Sequence, residues 1–301
     1  MQSLSRGWSF MQQAWQMAFK DKDLIKPSIY ALIAGFIVSI IGIIPLIGAA
    51  FLFGGSSSLV GQIAMIVVGA ILIFVHYVVS YLFSGMTVYL IYGYLSEGDG
   101  RLDKAFAKVQ REFWNIISLA AVSTVVNLFT NRLRNSRSRR GGANLVGGAL
   151  GGLIETVWTE ASYLILPAMM IEDANLATGI KRATQIAKGN LLLIGVSTVG
   201  VRWITGFISF VLGAIGLIFG LGVGFGLISL FNSSTIALII GIGLGAMIFF
   251  VFVMVASLIS SYTMTAYNTC LFLWARDVEK AQAQGNLIQV AAPAPLAAAL
   301  A

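Results

Sequence analysis

The chain has 301 residues, 58% of them hydrophobic and only 10% charged, against roughly 25% charged in soluble domains. Its mean hydropathy is +0.88 and its formal net charge +7. These values exclude a water-soluble catalytic domain, and the single cysteine, Cys270, excludes an intramolecular disulfide and any cysteine metal site.

Residues 1–26 lack the continuous apolar core of a cleavable signal peptide, so the first span is expected to direct insertion. Within them Leu4, Trp8, Met11, Trp15 and Phe19 recur at helical spacing, opposite Ser5, Ser9, Gln12, Gln13 and Gln16. That pattern predicts an amphipathic helix lying in the membrane interface. A helix needs about 20 residues to cross a ~30 Å hydrocarbon core. Spans are therefore expected at 28–53, within 59–95, at 114–130, at 146–171, within 191–230 and within 234–275. The expected fold class is all-α, a polytopic transmembrane bundle of about six spans with cytoplasmic interfacial helices.

The three longest runs would each cover about 55–60 Å as helix, so they project, tilt or break. Gly213, Gly216, Gly220, Gly222, Gly224 and Gly226 mark where a break would fall, but no run contains the polar loop that a second crossing needs. Segment 114–130 also reads as a re-entrant element. Two further amphipathic stretches are expected at 102–113, with Leu102, Phe106, Val109 and Phe113 on one stripe, and at 176–188, with Leu176, Ile180 and Ala183 on another. Glu97, Gly98, Asp99 and Gly100 read as a turn. After Gly285 the chain carries Pro293, Pro295 and seven alanines among residues 291–301, a composition expected to be disordered.

With six spans, one side of the membrane holds thirteen Lys and Arg and the other holds five. The positive-inside rule then places both termini in the cytoplasm. Arg132, Arg134, Arg137, Arg139 and Arg140 argue back, because they would be exported together. They form the expected basic patch for anionic lipid headgroups, an attraction of about 1 kcal/mol per residue, or else a solvated loop. Nucleic acid is not an expected partner; the bilayer and a membrane-protein or homo-oligomeric neighbour are.

Weak self-similarity runs through the chain. Met86, Thr87, Val88 and Tyr89 recur as Met264, Thr265, Ala266 and Tyr267, and Val122, Ser123, Thr124 and Val125 recur as Val196, Ser197, Thr198 and Val199. Tyr89, Tyr163 and Tyr267 each precede the first charge that closes a span. One membrane domain, 1–284, is expected, divided into three helical-hairpin units, 3–95, 102–171 and 176–275, each opened by an amphipathic segment. Ser5-Arg6-Gly7-Trp8, Lys20 to Leu24 before Pro27, Trp158 with Leu166-Pro167 and Glu172, and Lys181-Arg182-Ala183 resemble an uncharacterised family of bacterial six-helix inner-membrane proteins. The resemblance implies that architecture and setting, and no activity or binding residue.

Ionisable groups inside a membrane are the first functional suspects, because each costs at least about 2.5–3.5 kcal/mol unless paired or hydrated. Four are candidates: His76, Glu155, Glu160 and Arg202. Glu160 and Arg202 fall at matching depth on consecutive spans, which predicts an ion pair. His76 beside Tyr77 reads as a hydrogen-bonded packing residue or a titrating one. The small-xxx-small pairs Gly216/Gly220, Gly222/Gly226 and Gly241/Gly245 read as helix packing. His-Glu-x-x-His, Gly-x-Ser-x-Gly and phosphate-loop patterns are missing, and no cofactor or metal site is expected. Two function classes follow: a non-catalytic scaffold or envelope-complex subunit, and a small transporter or channel using Glu155, Glu160 and Arg202. No span is expected to gather several polar residues on one face, which favours the first.

Overall fold

The computed structural model describes residues 2–54, 57–135, 145–189, 191–230, 235–284 and 290–300, and the described residues form ten α-helices. Short amphipathic helices alternate with pairs of long ones: α1 (Gln2–Lys20), then α2 (Lys26–Leu52) and α3 (Leu59–Glu97); α4 (Leu102–Arg111), then α5 (Phe113–Asn135) and α6 (Leu145–Glu172); α7 (Leu176–Gly189), then α8 (Leu191–Leu230) and α9 (Thr235–Ala283). The last is α10 (Ala294–Leu300). Where composition reads as a disordered tail, Leu296 of α10 is fully buried.

Local chemistry sets the helix ends. Pro27 opens α2, where a missing N–H costs nothing. Ser58 caps α3 by accepting from the Gly61 N–H at 2.9 Å. Gly98, at φ +81°, ends α3 in the left-handed region. Gly100 follows because its N–H donates to Asp21 Oδ2 at 2.8 Å, and a Cβ there would lie only 2.8 Å from that same oxygen.

Two compact units emerge, and they do not follow the hairpin boundaries. The first comprises residues 1–19, 192–267 and 291–301; the second comprises 20–191 and 268–290. In the first unit α1 packs on α9: the Phe10 and Tyr267 rings meet edge to face at 5.3 Å, and the Tyr262 hydroxyl donates to the Ala14 carbonyl at 3.1 Å. In the second unit α4 packs on α3, where Val109 faces Gly85, and α7 packs on α6, where Gly179 faces Ile165 and Met169. Each amphipathic helix buries a residue, the fourth after it and the seventh after it: Gly7, Met11 and Ala14; Ala105, Val109 and Glu112; Gly179, Ala183 and Ile186. On α1 this buried stripe is rotated from the expected one. Gly7 goes inward because it lies against the Gly200 carbonyl, beside the buried Phe10, Met11, Ala14 and Met17, while Trp8 and Phe19 stay exposed.

Among the described residues, five helical segments are long and apolar enough to cross a membrane, Lys22–Leu52, Leu59–Glu97, Phe113–Arg134, Gly200–Ser229 and Leu238–Ala283, which makes this a multi-pass membrane protein by length and composition. The expected sixth, α6, has 28 residues, yet Glu155 and Glu160 interrupt its apolar run. Segment 114–130 is part of one continuous 23-residue helix, α5, about 34 Å long at 1.5 Å per residue.

The excess length of the longest runs is resolved without a break. α8 is a single helix of 40 residues straight through its glycines. On α3 the apolar side chains from Leu59 to Ile71 are exposed, whereas Gly85 to Ile91 are largely buried. α9 repeats the division, with most of its large apolar side chains exposed from Ile236 to Val255, apart from the face turned to α8, and buried from Tyr262 to Leu273. At 1.5 Å per residue the exposed stretches amount to about 20 Å of α3 and about 30 Å of α9, and the C-terminal part of each helix packs against protein.

Candidate functional site, a polar track between three helices

Helix α5 carries Ser123, Asn127, Asn131 and Arg134 at spacings of four, four and three residues, which stacks them along one face. This corrects the expectation that no span gathers polar residues on one side. Ser123 is fully buried. Its Oγ lies 2.8 Å from the Tyr81 hydroxyl of α3 and accepts from the Trp158 indole N–H of α6 at 2.9 Å. An indole N–H can only donate, so one serine holds both neighbouring helices.

Further along, Asn127 Nδ2 donates to the Tyr77 hydroxyl at 3.4 Å, and Asn131 Nδ2 donates to Asn127 Oδ1 at 2.9 Å. The Tyr77 and Tyr81 rings stack at 5.7 Å, which aligns their hydroxyls along the same side of α3. The track ends at Arg134 Nη2, 2.9 Å from Glu155 Oε2. That oxygen receives no hydrogen bond of good geometry despite the short approach, so the contact is Coulombic. Both side chains are partly exposed, at 48% and 37%, and screening keeps such a pair weak where water reaches it.

The other candidates are placed as follows. His76 Nδ1 lies 3.0 Å from the Leu72 carbonyl and Nε2 lies 3.0 Å from Ser39 Oγ, so the ring joins α3 to α2. A carbonyl only accepts, which puts a hydrogen on Nδ1. Ser39 has one hydrogen and two claimants, His76 Nε2 and the Gly35 carbonyl at 2.9 Å. Glu160 belongs to the second unit and Arg202 to the first, and each is engaged by a neighbour. Of the expected basic patch, Arg134 is the partner of Glu155 and Arg132 lies in the last turn of α5. Arg137, Arg139 and Arg140 lie outside the described residues.

A second set of charges sits at the ends of the long helices. Lys108 of α4 contacts Glu112 at 3.4 Å and also Asp173, just beyond α6. Glu112 accepts from Asn115 Nδ2 at 2.7 Å, and Arg111 Nη2 lies 3.5 Å from Asp173. Asp173 holds φ +53°, a left-handed geometry that aspartate tolerates better than most residues. The hydrogen bond from the Lys108 ammonium keeps its carboxyl below the usual aspartate range. On α7, Arg182 takes Glu172 bidentately, at 3.0 and 3.2 Å, and also reaches Glu279. Its guanidinium lies 6.0 Å from the Phe272 ring centre. Sequence reasoning missed both clamps, because their carboxylates lie up to 97 residues from their cations. The α5 row was detectable from its periodicity.

Among the described residues no cluster of three or more His, Cys, Asp or Glu is arranged to hold a metal ion. The arrangement can bind helices to one another through hydrogen bonds that lipid cannot replace. No known family's profile matches the chain, and no curated protein matches it.

Proposed function

We propose that this chain is a non-catalytic multi-pass scaffold or subunit of an envelope complex, seated in a bacterial cytoplasmic membrane with both termini inside. The observation that carries the reading is the closure of the Tyr81–Ser123–Trp158 contacts. Polar groups of three helices lie 2.8–2.9 Å apart and spend their hydrogen bonds on one another, leaving no gap for a solute between them. Such bonds are worth on average about 0.6 kcal/mol and at most about 1.7 kcal/mol inside a membrane, and several together fix helix register. The family resemblance, the threefold repeat and a crossing by α6 belong to the same proposal.

One observation favours transport as a second reading. The four polar residues of α5 form a continuous row that ends at a charged pair, as a proton or water path would require. The test is a single cysteine at position 127 in a Cys270→Ser background, combined with proton flux into liposomes under an imposed potential. Protection from an impermeant thiol reagent on both sides, with no flux above empty liposomes, is expected for the scaffold. Rapid labelling together with flux that Arg134→Gln abolishes would replace it with the transporter.

A further inference from the structure

We infer that the outward face of α7 seats the phosphate of an anionic phospholipid headgroup. The inference starts from a contrast between two amphipathic helices that pack in the same manner. Every cation from 101 to 111 has a carboxylate within the protein: Arg101 with Asp103, Lys104 with Glu97, Lys108 with Glu112, and Arg111 with Asp173. On α7 only Arg182 is spent this way. Lys181 and Lys188 have no carboxylate partner among the described residues.

The two lysines share a face. Thr178, Lys181, Gln185 and Lys188 follow at spacings of three, four and three residues, opposite the buried stripe of Gly179, Ala183 and Ile186. Together with Ile180 they line a hollow of about 750 Å³. The ammonium groups rise from positions about 10 Å apart along the axis, and their flexible four-carbon stems can converge on one phosphate. Ile180 adds apolar surface in the same hollow, suited to the glycerol end of a lipid.

Position argues for a membrane lipid as the source. α7 is tied to α6 by three residues, 173–175, and to α8 by one, 190, and the apolar 40-residue α8 begins three residues after Lys188. In the chain these cations directly precede a lipid-seeking helix, and basic residues flanking such a helix are the ones anionic headgroups attract most strongly.

The test uses the full chain in nanodiscs of one part phosphatidylglycerol to four parts phosphatidylcholine, with the lipids retained by the extracted protein counted by mass spectrometry. The wild type is expected to retain phosphatidylglycerol several-fold above the bulk ratio. Lys181→Gln with Lys188→Gln should return the ratio to bulk, the double arginine variant should keep the enrichment, and Lys104→Gln should leave it unchanged. If the double glutamine variant does not fold, the single charge reversal Lys181→Glu carries the same comparison. Enrichment that survives the loss of both lysines would overturn the inference, as would equal loss in Lys104→Gln, which would mean general surface charge. Displacement of the lipid by millimolar glycerol 3-phosphate would also overturn it, pointing to a soluble phosphate instead.

Discussion

The α8/α9 pair and the α3/α5/α6 cluster solve one problem by opposite means. Helices in lipid gain nothing from burying apolar surface against each other, so contact must come from close backbone approach or from polar side chains. The α8/α9 pair uses approach. Gly220 faces the Gly245 carbonyl, Gly224 faces the Gly241 carbonyl, and Gly216 faces Phe252. The cluster uses polar chemistry, with Ser123 joining Tyr81 and Trp158. The first interface is sensitive to volume and indifferent to hydrogen bonds, and the second is the reverse.

The largest expected effect tests the volume side. A Cβ at Gly220 would lie 2.5 Å from the Gly245 carbonyl oxygen, and backbone cannot move aside as a side chain can. Gly220→Val should therefore cost about 3 kcal/mol or more, read as a drop in thermal midpoint in detergent. Gly222 has nothing within 4 Å, and Gly222→Val should cost under about 1 kcal/mol. Equal losses at both sites would mean that the glycines serve something other than packing.

Ser123→Ala should cost about 1–2 kcal/mol, because it strands the Trp158 N–H in a buried site. Adding Trp158→Phe to it should recover part of that loss, since the stranded donor is then gone. A double variant that is less stable than the sum of its parts would show that the contacts act as a network wider than this pair.

The smallest effect concerns the charges at the helix ends, which neither interface uses. Asp173 has a lowered pKa through Lys108, so its contribution is fully present above the unfolded aspartate value of about 3.9 and is lost as pH falls through the lower folded value. Wild type should lose stability on acidification below about pH 4, and Asp173→Asn should flatten that part of the profile while keeping the left-handed backbone. A curve of unchanged shape would remove the clamp from the account.

Much of the fold was readable from pattern. Three amphipathic stretches and the long apolar runs all appear as helices, because periodicity and hydrophobicity are local properties of the chain. Of the three ways open to the longest runs, α8 does not break at its glycines, since a glycine weakens a helix in water but permits close packing in lipid. The stripe on α1 was misplaced by a fraction of a turn, because hydropathy ranks Trp8 and Phe19 above Gly7 and Ala14 whereas contact with Gly200 selects for small size. At the site, the sequence marks Glu155 as an ionisable group in an apolar run but reads its partner Arg134 as part of a surface patch, because the pairing spans two helices.

By itself the sequence determined that this chain is helical and crosses a membrane, since the cost of exposing apolar side chains to water and unpaired backbone groups to lipid is paid residue by residue. Only the tertiary structure decided which polar groups meet. Ser123, Tyr81 and Trp158 become one site, Arg182 gains Glu279, and Lys181 has no carboxylate partner among the described residues, because pairing depends on distances across helices that no local pattern encodes.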